Sequence, residues 1–582
     1  DGTISAAWTM SQEQIAAFSD RGTGYNFFDG TSWGANPTNR LEASRGGWPS
    51  IIAMGSGKEA SVTHNTDNSY INMTHRSTVG TGTWTEQIIS PMNDSTGMYR
   101  DLTWNRTAVG GLNKETLHMV GIANASDTVN VVYGIPNALL YYRSQDEGVT
   151  WDIKDMQLPT LDSANFNRFS GDSYTLTAQE ETVVLAYFND WGDSFIVKSI
   201  DNGTTWNKTI FLDFPVDKYT IDSGLDLDNN DTLDNVYSTD NYGTVILDPN
   251  GDAHVFYGIM MYLDDDLADA SSSWFPGING IAYWNESMGE DTTPPTIHVG
   301  DTSLWYSDMM NDHWITEAPD LNGDCSVGGV DTAGGYALYS NSRASMPSAG
   351  ISANGEIYLS FSGYTETADD GDQVYRHIYL IKSPDGGQTW SNPIDVTPHD
   401  GSNGGIDWDG RYECVFGSMN PEVDDKIRII YQLDYEPGLS VRGDGTQTSG
   451  EPGYGDQIEL NEIIYLEVDT AQAWDYCIYG CTDAVAGNYD PNAECDNGCC
   501  DNASPNVVSE EVSKLSIYPN PVKKILTIDG DYTSATIYDL FGKLVLTTNY
   551  QKTIDVATLS NGIYFIKATI NNREITKQVI FK

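Results

Sequence analysis

Positive charge is scarce in this chain. Of its 582 residues only 30 are Lys or Arg, against 83 Asp or Glu, for a formal net charge of −53. A polyanion of this kind offers no basic face, which excludes nucleic acid and anionic membrane surfaces as partners. It suits a protein bathed in salt, where charges are screened within about 10 Å, and it suits divalent cations. Long apolar runs are missing too. None approaches the ~18 residues that a membrane-spanning helix requires, so no transmembrane segment is expected. Helical periodicity is hard to find anywhere. Histidine is limited to 8 residues, and no Ser-His-Asp or metal-hydrolase string stands out among them. The first residue, Asp1, is not an initiator Met, which leads us to expect that an export signal has been removed.

What is abundant points to strands and turns: 56 glycines and 11% aromatic residues. One eight-residue pattern, S-x-D-x-G-x-T-W, occurs three times, as SQDEGVTW (Ser144–Trp151), SIDNGTTW (Ser199–Trp206) and SPDGGQTW (Ser383–Trp390). Each copy follows a short apolar run (NALLYYR, SFIVK, HIYLIK) and precedes another strand-like segment, so it reads as a hairpin corner. The residue types fit that place. Asp146, Asp201 and Asp385 can accept hydrogen bonds from turn N–H groups, and Gly148, Gly203 and Gly387 supply a positive φ. Ser144, Ser199 and Ser383 open the turn, while Trp151, Trp206 and Trp390 carry apolar area into a neighbouring layer. A degenerate copy, FFDGTSW, spans Phe27–Trp33. The flanking strands recur in units of about 40 to 70 residues, a period that signals propeller blades. We count six or seven units. The first and last look incomplete and could together make one blade.

The repeated pattern resembles the Asp-box, or bacterial neuraminidase repeat, of sialidase-like β-propellers. The resemblance covers residues 1–470 and implies that the eight-residue pattern is a structural turn away from the site. It also implies where chemistry would be sought. A sialidase clamps its substrate's carboxylate with three arginines and uses a Tyr–Glu pair with an acidic partner. The F/Y-R-I-P motif that usually supplies the first arginine is absent. The nearest string is SRGGWPSI with Arg45, and Arg343, Arg376 and Arg411 are the later candidates. We therefore assign no catalytic residue.

Calcium is better supported. DLNGDCSVGGVD places Asp320, Asn322, Asp324 and Asp331 at loop positions 1, 3, 5 and 12, with the Ser326 carbonyl available at position 7. The loop resembles those of dockerin and EF-hand modules, with Cys325 where a glycine is usual. A second loop, DLDNNDTLD, offers Asp226, Asp228, Asn230 and Asp234. A third acidic run holds Asp264, Asp265 and Asp266. Oxygen-only ligand sets suit a hard cation such as Ca²⁺, in a structural role; polar loops closed by Asx-turns are the alternative.

Five of the seven cysteines (Cys477, Cys481, Cys495, Cys499, Cys500) fall within 24 residues. Without histidine in the cluster, disulfides in an oxidising compartment are favoured over zinc. The stretch YGCTDAVAGNYDPNAECDNGCC resembles short modules of secreted proteins from Bacteroidetes-type bacteria. That resemblance implies a Cys481–Cys500 bond and leaves the odd remaining cysteines open. Cys325 and Cys414, the two cysteines of the large N-terminal part, are expected to pair with each other. The module covers 471–501, and 502–513 is a polar linker.

Charge changes sign beyond the linker. From Val512 to Lys582 nine basic residues face five acids, a net +4 that leaves −57 on the rest. Alternating strands with Pro and Gly turns give a β-sandwich over 514–582. The strings Tyr518-Pro519-Asn520-Pro521, IYDLFGK, LSNGIYFIK and KQVIFK resemble the C-terminal sorting domain of type IX secretion substrates. This implies handling by the type IX secretion machinery and an extracellular or outer-surface location. The expected whole is thus all-β: a six- or seven-bladed propeller, a disulfide-rich module and a sorting sandwich. Its expected role is binding or assembly, with a glycan or a cell-surface protein as ligand, as an adhesin or a subunit of a surface assembly, with self-association open. The alternative is a polysaccharide-active enzyme such as a sialidase-like glycoside hydrolase.

Overall fold

The computed structural model describes the chain apart from residues 1, 14–17, 67–69, 90–101, 124–130, 228–232, 276, 293–312, 322, 324, 326, 328–338, 340, 370–372, 398–411, 439–460, 485, 487–489, 501–515, 519–521, 530–531, 540–542, 561, 571–572 and 582. It is all-β; the one helical segment among the described residues is a 3₁₀ turn at Glu286–Met288. Two compact units are present. One comprises Asp1–Asn322 with Tyr336–Tyr476, the other Gly323–Gly335 with Cys477–Lys582.

Among the described residues the larger unit is built from seven sheets in chain order. The first is a pair, β1 (Ile4–Met10) and β2 (Gly22–Phe28). Three four-stranded antiparallel sheets follow. They are β3 (Gly46–Ala53), β4 (Glu59–Asn65), β5 (Tyr70–Arg76) and β6 (Thr85–Ile89); β7 (Leu102–Gly110), β8 (Thr116–Ala123), β9 (Ala138–Ser144) and β10 (Ile153–Gln157); and β11 (Tyr174–Gln179), β12 (Thr182–Tyr187), β13 (Ser194–Ser199) and β14 (Asn207–Leu212). The fifth sheet contains β15 (Val236–Leu247), β16 (Ala253–Leu263), β17 (Ser273–Phe275), β18 (Ile281–Asn285) and β19 (Trp314–Thr316). The sixth contains β20 (Ala344–Ser352), β21 (Ile357–Asp369), β22 (Val374–Ser383) and β23 (Ile394–Asp395). It also takes in β25 (Glu422–Val423), which adds to β20 in parallel. The seventh contains β24 (Glu413–Met419), β26 (Lys426–Asp434) and β27 (Glu462–Asp469).

The first strand of each sheet lies beside the first strand of the next, from β1 through β3, β7, β11, β15 and β20 to β24. Such serial stacking of small antiparallel sheets is a propeller. It explains the apolar runs in the sequence. The middle strands are covered on both faces by neighbouring blades, so β4 and β8 are buried at every position. Outer strands such as β6 and β27 are largely half-buried or exposed. The cores run between blades: one cluster extends from Ile52 to Trp206 across the second to fourth sheets, and others join the fourth to the fifth and the sixth to the seventh. The expectation that the first and last units share one blade is not met among the described residues. β1 lies along β3 rather than β27, and the two ends meet through an edge-to-face contact of Trp33 with Tyr465, ring centroids 5.1 Å apart.

In the smaller unit, the cysteine module pairs β28 (Tyr479–Gly480) with β29 (Cys495–Asp496) in parallel and is held by three disulfides, Cys325–Cys499, Cys477–Cys495 and Cys481–Cys500, with Cα separations of 5.3, 5.9 and 4.7 Å. The expected pairing of Cys325 with Cys414 is thereby corrected. Cys414 forms no disulfide; it is buried on β24 among Tyr358, Ile378 and Leu380, as a small apolar side chain in a core. Among the described residues the sandwich that follows has two sheets. One holds β30 (Ser516–Tyr518), β31 (Ile525–Asp529) and β34 (Thr553–Asp555). The other holds β32 (Ser534–Asp539), β33 (Leu544–Asn549), β35 (Gly562–Ile570) and β36 (Arg573–Phe581). Their own core includes Leu526, Ile528, Ile537, Ile566 and Val579.

Candidate functional site

The three repeated octapeptides are corners between the third and fourth strands of their sheets, and their polar groups are spent on the turn itself. In the first, Ser144 Oγ donates to Asp146 Oδ1 (2.9 Å) and accepts the Gly148 N–H (2.8 Å), while Thr150 donates through N–H (2.7 Å) and Oγ1 (2.6 Å) to the Asp146 carboxylate. Asp201 and Asp385 repeat the pattern with Thr205 and Thr389. Donation by Thr205 N–H holds the Asp201 carboxyl down at about 2. The corners also dock one blade onto another. Tyr141 on β9 approaches Gly203 of the following blade, and Tyr283 on β18 approaches Gly387. Each hydroxyl lies 2.7 Å from the Nδ1 of a buried histidine, His118 or His254. Trp206 and Trp390 pack edge-on against the same tyrosines at 4.9 and 5.3 Å.

Antiparallel order places these corners at the same end as the turns between first and second strands, and backbone bonds such as Asn202 N–H to Glu181 O (2.8 Å) confirm it. The opposite end carries the loops between second and third strands and the connections from sheet to sheet. There the innermost strands are irregular. Bulges interrupt the pairing of β3, β7, β15, β20 and β24. Within each bulge one non-glycine residue has positive φ: Trp48 (53°), Trp104 (49°), Asn241 (69°), Met346 (54°) and Phe416 (55°). Bulky side chains in this conformation are uncommon, and held strain of this kind clusters at functional sites.

Two of these bulges frame a cationic, aromatic surface. Trp48 stacks on His64 at 4.7 Å, and Trp104 meets the same imidazole edge-on at 6.3 Å. The Trp104 N–H donates to His64 Nδ1 at 3.0 Å, which fixes the ring hydrogen on Nε2. Three guanidinium groups surround this histidine. Arg21 lies 5.0 Å from the Trp48 ring centre with its Nε–H on Gly46 O (2.8 Å). Arg45 donates to Phe18 O (2.9 Å) and Thr66 Oγ1 (3.0 Å). Arg106 covers the Tyr174 ring at 5.4 Å and pairs with exposed Asp172 at 3.4 Å; Trp48 Nε1–H donates to the same Asp172 oxygen at 3.2 Å. Burial, aided by Arg21, Arg106 and Arg45, pushes His64 down to about 3, so the imidazole is neutral at ordinary pH.

Further round the same end, a cavity of about 430 Å³ opens in the fourth sheet's loops, with Trp191, Tyr219, Arg168 and Asp190 on its wall. Trp191 stacks on Tyr219 at 4.9 Å. Beyond it lies a buried polar group. Arg376 is fully buried against Tyr364 (4.5 Å) and Tyr339 (5.6 Å), donating to Ser342 O (2.8 Å) and Asn341 Oδ1 (3.1 Å). Its backbone N–H donates to Glu413 at 2.6 Å. Burial raises Glu413 to about 7, against the pull of Arg376.

Of the residues nominated from sequence, Arg45 belongs to the cationic surface, and Arg343 and Arg376 belong to the buried group; Arg411 lies outside the described residues. So do Asn322, Asp324, Ser326, Asp331, Asp228 and Asn230 of the two calcium loops. Asp320 and Asp226 are half-buried, and buried Asp234 accepts the Leu227 N–H at 2.6 Å. Sequence reasoning missed Trp48, His64, Trp104, Arg106 and Asp172. The available signal was a tryptophan at the start of two innermost strands, next to an arginine in a chain poor in them.

Comparison with known proteins bears mainly on the tail. No curated protein matches the sequence. Among solved structures, a PL25 ulvan lyase covers 67% of this chain and 82% of its own at 11% identity and a TM-score of 0.36. A Penicillium chrysogenum α-L-arabinanase with arabinobiose covers 73% and 93% at 13% identity and 0.32. Trypanosoma rangeli sialidase covers 66% and 52% at 14% identity and 0.32. Residues 516–582 match the secretion system C-terminal sorting domain. Among the described residues no helix is long and apolar enough to cross a membrane. The sandwich at the end of this chain is therefore a sorting domain, and the protein that carries it is secreted or held at the cell surface.

Proposed function

We propose that this is an exported glycan-binding protein whose sialidase-like propeller holds an anionic polysaccharide on the surface formed by Arg21, Arg45, Trp48, His64, Trp104 and Arg106. The convergence of three arginines and two tryptophans on one neutral histidine carries this reading. Indole faces suit the apolar faces of sugar rings. Guanidinium groups suit planar or tetrahedral oxyanions such as uronate and sulfate. In a chain of −53 such a grouping is a local exception to the surrounding charge. As a secreted or surface protein, it would serve as an adhesin or as a subunit of a surface assembly. The test is calorimetric titration of the full chain with a panel of neutral, uronate-rich and sulfated polysaccharides. Selective binding of anionic members, weakened at least tenfold by Trp48→Ala, supports the reading. Equal binding of neutral glycans, or none at all, removes it.

A polysaccharide-active enzyme is the second reading, favoured by the grouping of Tyr339, Glu413 and Arg376. Burial raises Glu413 to about 7, within the range of a general acid, but the three side chains are themselves buried, which places this reading second. New reducing ends or unsaturated uronates on incubation, lost in Glu413→Gln, would establish it.

A further inference from the structure

Of the acidic residues nominated from sequence, Asp264 of the third run is one that the fold leaves in need of a partner, together with Asp222, which the sequence did not single out. Asp264, at the end of β16, is 1% exposed. Its Oδ2 accepts the Tyr219 hydroxyl and the Asp222 N–H, the latter at 2.8 Å. Asp222 is pinned in the same way, its Oδ2 accepting the Ala270 N–H at 3.0 Å. In both carboxylates the other oxygen, Oδ1, is buried without a hydrogen-bond partner. Beneath them lies an apolar cluster that includes Phe214, Tyr219, Leu225 and Met260.

A buried carboxylate, Asp264, beside a half-buried one, Asp222, each with one buried oxygen unused, is costly unless a positive charge meets them. Among the described residues no Lys, Arg or His forms an ion pair with either. Among the described residues neither carboxylate is hydrogen-bonded to a histidine or cysteine, the donors that softer metals prefer. What remains is a hard cation that takes carboxylate oxygens, backbone carbonyls and water in irregular numbers, which describes Ca²⁺ better than Mg²⁺. We propose that Asp222 and Asp264 bind a calcium ion through their Oδ1 atoms. The ion ties the loop after β14 to the end of β16. Asp222 and Tyr219 also line the 430 Å³ cavity, so the ion stiffens its wall. This site stands apart from the glycan surface and does not depend on that reading.

Terbium luminescence on the full chain tests it, because Tyr219 and its stacking partner Trp191 are placed to sensitise a bound lanthanide. Calcium-free protein should take up Tb³⁺ with a sensitised signal that Ca²⁺ displaces. Asp264→Asn and Asp222→Asn should each weaken uptake at least thirtyfold, while Asp320→Asn leaves it unchanged. Melting supplies a second readout. Calcium should raise the wild-type midpoint but not that of Asp264→Asn. In chelator Asp264→Asn should melt at or above wild type, because an uncompensated buried charge has been removed. The proposal is overturned if wild-type protein shows no sensitised uptake, if both variants bind within threefold of wild type, or if Asp320→Asn abolishes the signal. It is also overturned if Asp264→Asn melts below wild type in chelator.

Discussion

At Gly203 and Gly387 a single hydrogen is all that the packing allows. A Cβ at either would lie 2.0 Å from a tyrosine hydroxyl of the preceding blade, and φ is +77° and +94°. Replacement by Ala combines overpacking with left-handed strain, and we expect each to cost about 2–3 kcal/mol in chemical denaturation. Tyr141→Phe should cost about 1 kcal/mol through loss of the hydroxyl–His118 bond. Titration separates the buried group from these corners. Glu413 is raised in the folded chain, so the native state holds its proton more tightly than the unfolded chain does. Its contribution is present below the unfolded value of about 4.3 and is lost as pH rises through about 7. Glu413→Gln should therefore flatten the loss of stability between pH 5 and 8. An unchanged slope would show that Glu413 does not titrate there. The corner residues were legible in sequence because their hydrogen bonds are local. Arg376 was visible only as one scarce arginine, since its partners come from three separate segments.

Among the elements, period and spacing carried most of the information. Apolar third strands, each followed by an Asp-Gly corner, disclosed the blades, and the doubly buried middle strands showed as continuous runs. The bulges of β3, β7, β15, β20 and β24 did not show, because a register shift leaves no composition mark. The cationic surface depends on them, which is why Trp48 and Trp104 escaped notice. The cysteines show the limit of counting. Cys481–Cys500 follows the module pattern, but pairing Cys325 with Cys414 joined the two cysteines of the large N-terminal part without knowledge that β24 is a core strand. Peptide mapping under non-reducing conditions should recover Cys325 linked to Cys499, with Cys414 alkylated only after denaturation. A Cys325–Cys414 peptide would contradict the fold. Breaking the Cys481–Cys500 bond by Cys481→Ser should lower stability by about 2–4 kcal/mol.

For the molecule as a whole, the change of charge near residue 512 separates an acidic body from a basic tail that matches a secretion sorting domain. Because the sandwich has its own core and the propeller has others, removal of 516–582 should abolish export while leaving the main melting transition within a few degrees. The tail's function was the most legible part of the sequence, since several strings in order identify it. The cationic, aromatic surface proposed to bind glycan was the least legible, as it assembles only when the innermost strands meet. The central claim rests on that surface, and one comparison tests it most directly: affinity of the full chain for a sulfated or uronate-rich polysaccharide, wild type against Arg106→Gln, with folding checked by circular dichroism. The account predicts at least a tenfold loss of affinity in a variant that folds normally. Unchanged affinity in that variant would contradict it.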